Sequence, residues 1–211
     1  FGLELRCSDD LKGGSQFKSE TLGIDQEPAQ IIVEQAPVRI ELRDRKGSLL
    51  RSLGTPGMYR SPSISPDGRW LAATGHPQVR DGNHDVWLFA LEGESAIRFT
   101  IEPSEDVDVA WAPDGKALFY GANVKGPHDV FRKSLDGTRA AELVYEAPGM
   151  QKPASVSRDG KHLLVNSEVD ERNVLVVVDL ATGRARPLRE GPWSDGHGSL
   201  SPDGRWLLFE S

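Results

Sequence analysis

A single cysteine, Cys7, stands in 211 residues, so the chain cannot form an internal disulfide or a cysteine-based zinc site. No apolar run approaches the ~18 residues that cross a membrane as a helix. Basic residues are scarce relative to acidic ones, 25 against 32, and the net charge is −7. With no Lys/Arg block, that balance excludes a general nucleic-acid groove. Neither nucleic acid nor a membrane span is therefore expected. No segment holds a helical period for more than two turns, which removes the helical fold classes. Catalytic signatures are missing too. There is no kinase Gly-rich loop or His-Arg-Asp set, and no Gly-x-Ser-x-Gly elbow. There is also no phosphate-binding Gly-x-x-x-x-Gly-Lys-Ser/Thr and no His-Glu-x-x-His. The chain opens Phe1-Gly2-Leu3 without an initiator Met or signal peptide, and reads as an excerpt or a processed product.

What the chain does have is turns and a repeat. Gly (22) and Pro (14) make up about one residue in six, below the ~25–30% of low-complexity chains. Four segments align without gaps: Ile64 to Leu71, Trp111 to Leu118, Val156 to Leu163 and Leu200 to Leu207. Their anchor aspartates, Asp67, Asp114, Asp159 and Asp203, are spaced 47, 45 and 44 apart. Each Asp-Gly follows an apolar residue by three positions and precedes a base by two and a Leu by four. Asp bonds its own following backbone and Gly accepts positive φ, so each pair marks a tight turn between strands.

Four short β-branched and aromatic runs fit each period, as strands prefer. A period of ~40–50 residues with four strands is a β-propeller blade. The fold expected is all-β, a propeller of four-stranded antiparallel blades with about four blade equivalents. It divides into a half blade at 38–53, blades at 61–101, 108–145 and 153–189, and a half blade at 197–211. Residues 1–37 fall outside the repeat, although Ile31-Ile-Val33 has strand character. Two readings of the whole stay open: the half blades pair and close a small ring, or the chain is an arc of a larger ring.

The runs Ser65-Pro-Asp-Gly-Arg-Trp-Leu71 and Ser201-Pro-Asp-Gly-Arg-Trp-Leu207, with Asp85-Val-Trp87, resemble the bacterial Pro-Asp-Gly propeller repeats described as WD-repeat-like and TolB-like. The resemblance covers about 38–211. The third repeat departs from the pattern, with Arg158 in place of Pro. Such propellers are appended to bacterial Ser/Thr protein kinases and membrane-linked regulators. They also form the substrate-gating domain of prolyl-oligopeptidase-like serine peptidases. The resemblance implies a non-catalytic binding or scaffold module of a larger bacterial protein, periplasmic or otherwise extracytoplasmic, with the cytoplasm left open. The gating propeller of a serine peptidase is the alternative it implies.

The repeated aspartates and the bases Arg69, Lys116, Lys161 and Arg205 serve blade folding, because one reaction does not need a copy in every blade. His84-Asp85 and His128-Asp129 hold metal-capable side chains at matching blade positions. Repetition at equivalent positions places them on different blades, so local bonding at a strand start is the expected role of Asp85 and Asp129, and no metal or cofactor is expected. The loops before each first strand differ from blade to blade and gather on one face. There Tyr59, Arg60, Asp106, Lys152, Trp193 and His197 are the expected contacts to a protein, peptide or small polar ligand. A lyase or hydrolase acting through Asp106, Asp108 and His197 is a further reading.

Overall fold

The computed structural model describes residues 5–6, 30–33, 38–77, 83–169, 171–189, 191, 194–201 and 203–211. Among them are seventeen strands and no helix. The first seven are β1 (Leu5–Arg6), β2 (Gln30–Val33), β3 (Val38–Arg43), β4 (Leu49–Ile64), β5 (Trp70–Pro77), β6 (Asp85–Ala90) and β7 (Ala96–Arg98), and they form one sheet in chain order. β1 pairs with β2 in parallel; every other pairing is antiparallel. A second sheet holds β8 (Asp106–Trp111), β9 (Ala117–Ala122), β10 (Asp129–Ser134) and β11 (Glu142–Tyr145). A third holds β12 (Gln151–Val156), β13 (His162–Val169), β14 (Arg172–Asp179) and β15 (Ala185–Pro187). The last pairs β16 (Gly196–Leu200) with β17 (Leu207–Glu210).

β4 is unusual in length and belongs to two ladders. Residues Leu49–Gly57 pair with β3, and Gly57–Ile64 pair with β5. Sequence reading ends the half blade at 53 and begins the next blade at 61, with Gly57-Met-Tyr-Arg60 as a loop between them. The chain runs through there as one strand, with Gly54 at a φ of 65° against the Phe89 ring. A Cβ at Gly54 would lie 2.4 Å from the Phe89 side chain.

The second strands β5, β9 and β13 are buried on both faces, which is why they read as nearly unbroken apolar runs. On β9, Leu118 and Tyr120 pack with Ala72, Val86 and Leu88 of the first sheet. The alternate residues Ala117 and Phe119 pack with Leu163, Val165, Val176 and Val178 of the third. A third cluster joins Ile40, Leu53, Tyr59, Leu71 and Phe89. Full burial of one large apolar side chain contributes roughly 1.5–3 kcal/mol, so these seams hold the sheets together. The first strands of successive units, the second half of β4, then β8, β12 and β16, lie side by side.

The turn chemistry follows the repeat. Ser65 Oγ donates to Asp67 Oδ1 at 2.6 Å, and the Arg69 N–H donates to the same carboxylate at 3.0 Å. Ser157 with Asp159 and Ser201 with Asp203 repeat the arrangement at 2.7 and 2.5 Å. Those serine hydroxyls and the following backbone N–H groups hold Asp159 and Asp203 below the usual carboxylate range. Gly68, Gly115, Gly160 and Gly204 all sit at φ of 68–70°, which a side chain would strain. The anchor aspartates are thereby committed to turn formation.

Candidate functional site at the variable face

Counting back from the four turn aspartates aligns the first strands residue by residue. Eight positions back stand Tyr59, Asp106, Gln151 and Asp195, and all four are buried. In three of the four the N–H of this residue binds the preceding unit. Asp106 N donates to His84 O at 2.7 Å, Gln151 N to His128 O at 2.7 Å and Asp195 N to Asn173 O at 2.6 Å. The latch also fixes the alignment of the third strands. Asn173 corresponds to His84 and His128, one residue away from the match with Asp85 and Asp129 that the runs Asp85-Val-Trp87, Asp129-Val-Phe131 and Asn173-Val-Leu175 suggest.

Each latch residue turns its side chain inward. Tyr59 meets Phe89 edge to face, with centroids 5.1 Å apart and planes at 88°, and its hydroxyl hydrogen-bonds with Thr55. Gln151 donates to Pro148 O at 3.0 Å. Asp195 is clasped by Arg189, whose Nε lies 2.6 Å from Oδ2. Asp106 accepts from Ser104 Oγ at 3.1 Å and from Thr100, while its Oδ2 has no protein partner. Burial pushes the Asp106 carboxyl up to about 6, and the nearby Asp85 and Glu102 charges add to the effect. Its neighbour Asp85 is itself buried and bound by Arg98 at 2.8 Å, so this aspartate bonds across the sheet and not locally at its strand start.

Seven positions back, strand alternation turns the side chain the other way. Arg60 is exposed and Lys152 half-buried, and neither makes a side-chain hydrogen bond or ion pair among the described residues. Unpaired cations on β4 and β12, with β8 between those two first strands, are poised for an outside acceptor.

Six positions back the strands are bulged. The pairing registers slip between Arg60 and Ser63, Val107 and Val109, Pro153 and Ser155, and Gly196 and Ser199. At that place Ser61, Asp108 and His197 adopt φ of 48°, 45° and 51°. Only four non-glycine residues among those described have positive φ, and three of them occupy this one repeat position. The third unit has Pro153 there, whose ring fixes φ negative. Bulges re-aim side chains and cluster beside functional sites, and left-handed non-glycine residues cost about 1–3 kcal/mol each. The Ser61 hydroxyl reaches Asp108 Oδ1 at 2.5 Å across the boundary between units. His197 is exposed, with Nδ1 3.0 Å from Glu210 Oε2.

The end of β5 and the residues just before the third strands β6 and β10 add imidazoles to the same face. His76 stacks on His84 at 5.2 Å, and His84 Nδ1 lies 3.1 Å from Glu105 Oε1. His128 is buried with Nε2 unpartnered. Burial pulls its pKa below the ordinary imidazole value; Glu105 and Asp108 oppose that and Lys152 reinforces it. Among the described residues no three His, Cys, Asp or Glu side chains converge as a metal site.

Of the six residues expected at this face, Arg60, Lys152 and His197 present side chains there. Tyr59 and Asp106 point into the protein, and Trp193 lies outside the described residues. Asp106, Asp108 and His197 are committed to different partners. Ser61, Glu105 and His128 join the rim, although the sequence does not single them out as contacts. A register counted from the turn aspartates is the signal that finds the first of them.

Residues 35–211 match the family model for the TolB beta propeller domain. TolB from Acinetobacter baumannii superposes with a TM-score of 0.69 at 22% identity, over 85% of this chain and 44% of that one. A putative TolB from Agrobacterium tumefaciens gives 0.68 at 20%, over 81% and 62%. The uncharacterized peptidase YuxL of Bacillus subtilis (strain 168) is 29% identical over 160 residues, 74% of this chain and 22% of that protein. The chain therefore spans less than half of that TolB structure and under a quarter of that peptidase.

Proposed function

We propose, for a chain that belongs to the TolB beta propeller domain family, that its work is recognition and not catalysis. On this reading a protein, peptide or small polar ligand is held on the variable face. The module serves a larger bacterial protein in an extracytoplasmic compartment. The observation that carries the reading is the bulged position shared by Ser61, Asp108 and His197. Backbone strain is concentrated at one repeat position on the face where the loops vary. The unpaired Arg60 and Lys152 stand one residue before that position in two of the units.

The test is a display of short peptides of varied charge, read against the wild-type chain and a variant carrying Arg60→Ser and Lys152→Ser. Selected binders should lose at least about tenfold in affinity to the variant, the size expected for losing charge-assisted contacts. A library that yields no binder, or binders that hold both proteins equally, would overturn the reading.

The second reading is the gating propeller of a serine peptidase, supported by the likeness to a protein named as a peptidase. It has the same face filter a substrate, with the reaction carried by residues outside these 211. Its test is peptide cleavage by the full-length parent protein. Substitution of Arg60 and Lys152 should change peptide selectivity while leaving turnover of a small ester intact.

A further inference from the structure

Two units carry a motif that the unit between them lacks. Eleven to seven positions before the turn aspartate, the first unit reads Pro56-Gly-Met-Tyr-Arg60 and the third Pro148-Gly-Met-Gln-Lys152. The second unit reads Pro103-Ser-Glu-Asp-Val107 there. Met58 and Met150 are the only methionines of the chain, and they share one repeat position. All of these residues belong to complete four-stranded units.

The two copies are built alike. Gly57 and Gly149 each let the end of a second strand come against the main chain. A Cβ would lie 2.4 Å from His76 O at Gly57 and 1.8 Å from Glu168 O at Gly149. His76 and Glu168 are themselves equivalent, nine residues after their turn aspartates. From that crossing the first unit runs in register, Met58 opposite His76 and Arg60 opposite Thr74. In the third unit Glu168 N donates to Met150 O at 2.9 Å, and Lys152 stands opposite Asn166. Alternation sends Tyr59 and Gln151 inward, so each methionine shares the other side with the base two residues on. Both methionines are half-buried, and neither packs in any of the three apolar clusters. A flexible thioether beside an unpaired cation suits a ligand better than a core.

Between the two pairs, β8 and the residue before it bring Val107 and the carboxylates Glu105 and Asp108. An acidic group is therefore drawn to the first and third units and repelled over the second. Two sheet spacings of about 10 Å set the strands bearing the bases at most about 20 Å apart, which an extended chain at roughly 3.3 Å per residue spans in about six residues.

We propose that the variable face holds an acidic peptide at two points. One carboxylate with its apolar neighbour docks at Met58 and Arg60, a second at Met150 and Lys152, and a neutral or basic segment crosses β8. The inference rests on the recognition reading above and adds the charge and spacing of the ligand.

Fluorescence anisotropy with labelled synthetic peptides tests it. Two peptides carry a pair of Leu-Glu units separated by one or by five Gly/Ser residues, and a third carries a single Leu-Glu unit. The five-residue spacer is expected to bind at least about tenfold tighter than the single unit, and the one-residue spacer no tighter than it. Arg60→Ser or Lys152→Ser should each bring the five-residue peptide down to the single-unit affinity. Arg60→Glu should do the same, and should regain affinity for a peptide with Leu-Lys at one end, a recovery that a misfolded variant cannot give. Affinity that ignores the spacing overturns the two-point hold, while the recognition reading stands if both serine substitutions still weaken binding. Acidic peptides that fail to bind, where neutral or basic ones bind through Arg60 and Lys152, likewise overturn this inference alone. A display that yields no binder of any charge overturns both.

Discussion

Ser61 and Asp108 occupy the same position of successive repeats and meet across the boundary between them, hydroxyl to carboxylate, at 2.5 Å. Both residues are left-handed, so the bond joins two strained points and lets each hold the other in place. The rim of the variable face is therefore a coupled structure and not a set of independent loop residues.

That coupling is measurable. A double-mutant cycle of Ser61→Ala and Asp108→Ala in urea unfolding should give an interaction energy of about 1–3 kcal/mol, the range for a hydrogen bond to a charged group. Additive effects of the two substitutions would show that the strands hold these conformations without the bond.

Asp106 should make stability depend on pH. Its unfolded carboxyl titrates near the ordinary ~3.9, while burial raises the folded one to about 6. Below the lower value both states keep the proton and the contribution is fully favourable. As pH rises through about 6 the folded state must ionise a buried group and the contribution is lost. The wild type should lose up to about 3 kcal/mol between pH 4 and pH 7 from this group, since each tenfold difference in proton affinity between the two states is worth ~1.36 kcal/mol. Asp106→Asn should remove that slope and be the more stable protein at pH 7. Parallel stability curves for the two proteins over that interval would contradict the assignment.

Two glycines separate strain from crowding. Gly149 and Gly183 both have positive φ, 84° and 71°, but a Cβ at Gly149 would lie 1.8 Å from Glu168 O, while at Gly183 it meets nothing. Gly183→Ala should cost about 1–2 kcal/mol, the left-handed penalty alone. Gly149→Ala adds a clash with backbone that cannot rotate away, and should cost at least about 2 kcal/mol more. Thermal denaturation of the pair checks both values.

The architecture is legible because repetition multiplies a weak signal. One Asp-Gly predicts a turn, and four with matching flanks predict a stack of similar units. The site is less legible because side-chain direction alternates with every residue of a strand. Tyr59 and Arg60 are neighbours in the same stretch, yet one enters the core and the other faces out. Asp106 reads as a rim carboxylate for the same reason; its side chain is buried against Thr100 and Ser104. Sequence alone aligns Asn173 one residue off because the loop before it, unlike the turn, has no fixed length. The continuity of β4 is hidden by Gly54 and Pro56, whose usual meaning is a break.

The backbone latch has a consequence for how such chains grow. At three junctions one unit offers a carbonyl from the start of its third strand and the next offers an N–H from the start of its first. The acceptor serves the unit after it and the donor serves the unit before. A duplicated segment therefore arrives with both halves of its own backbone joint, and what has to be fitted at the new boundary is the apolar seam between sheets. Gene duplication in steps of one period becomes a permitted move, and the remaining restraint on unit number is the angle through which each step turns.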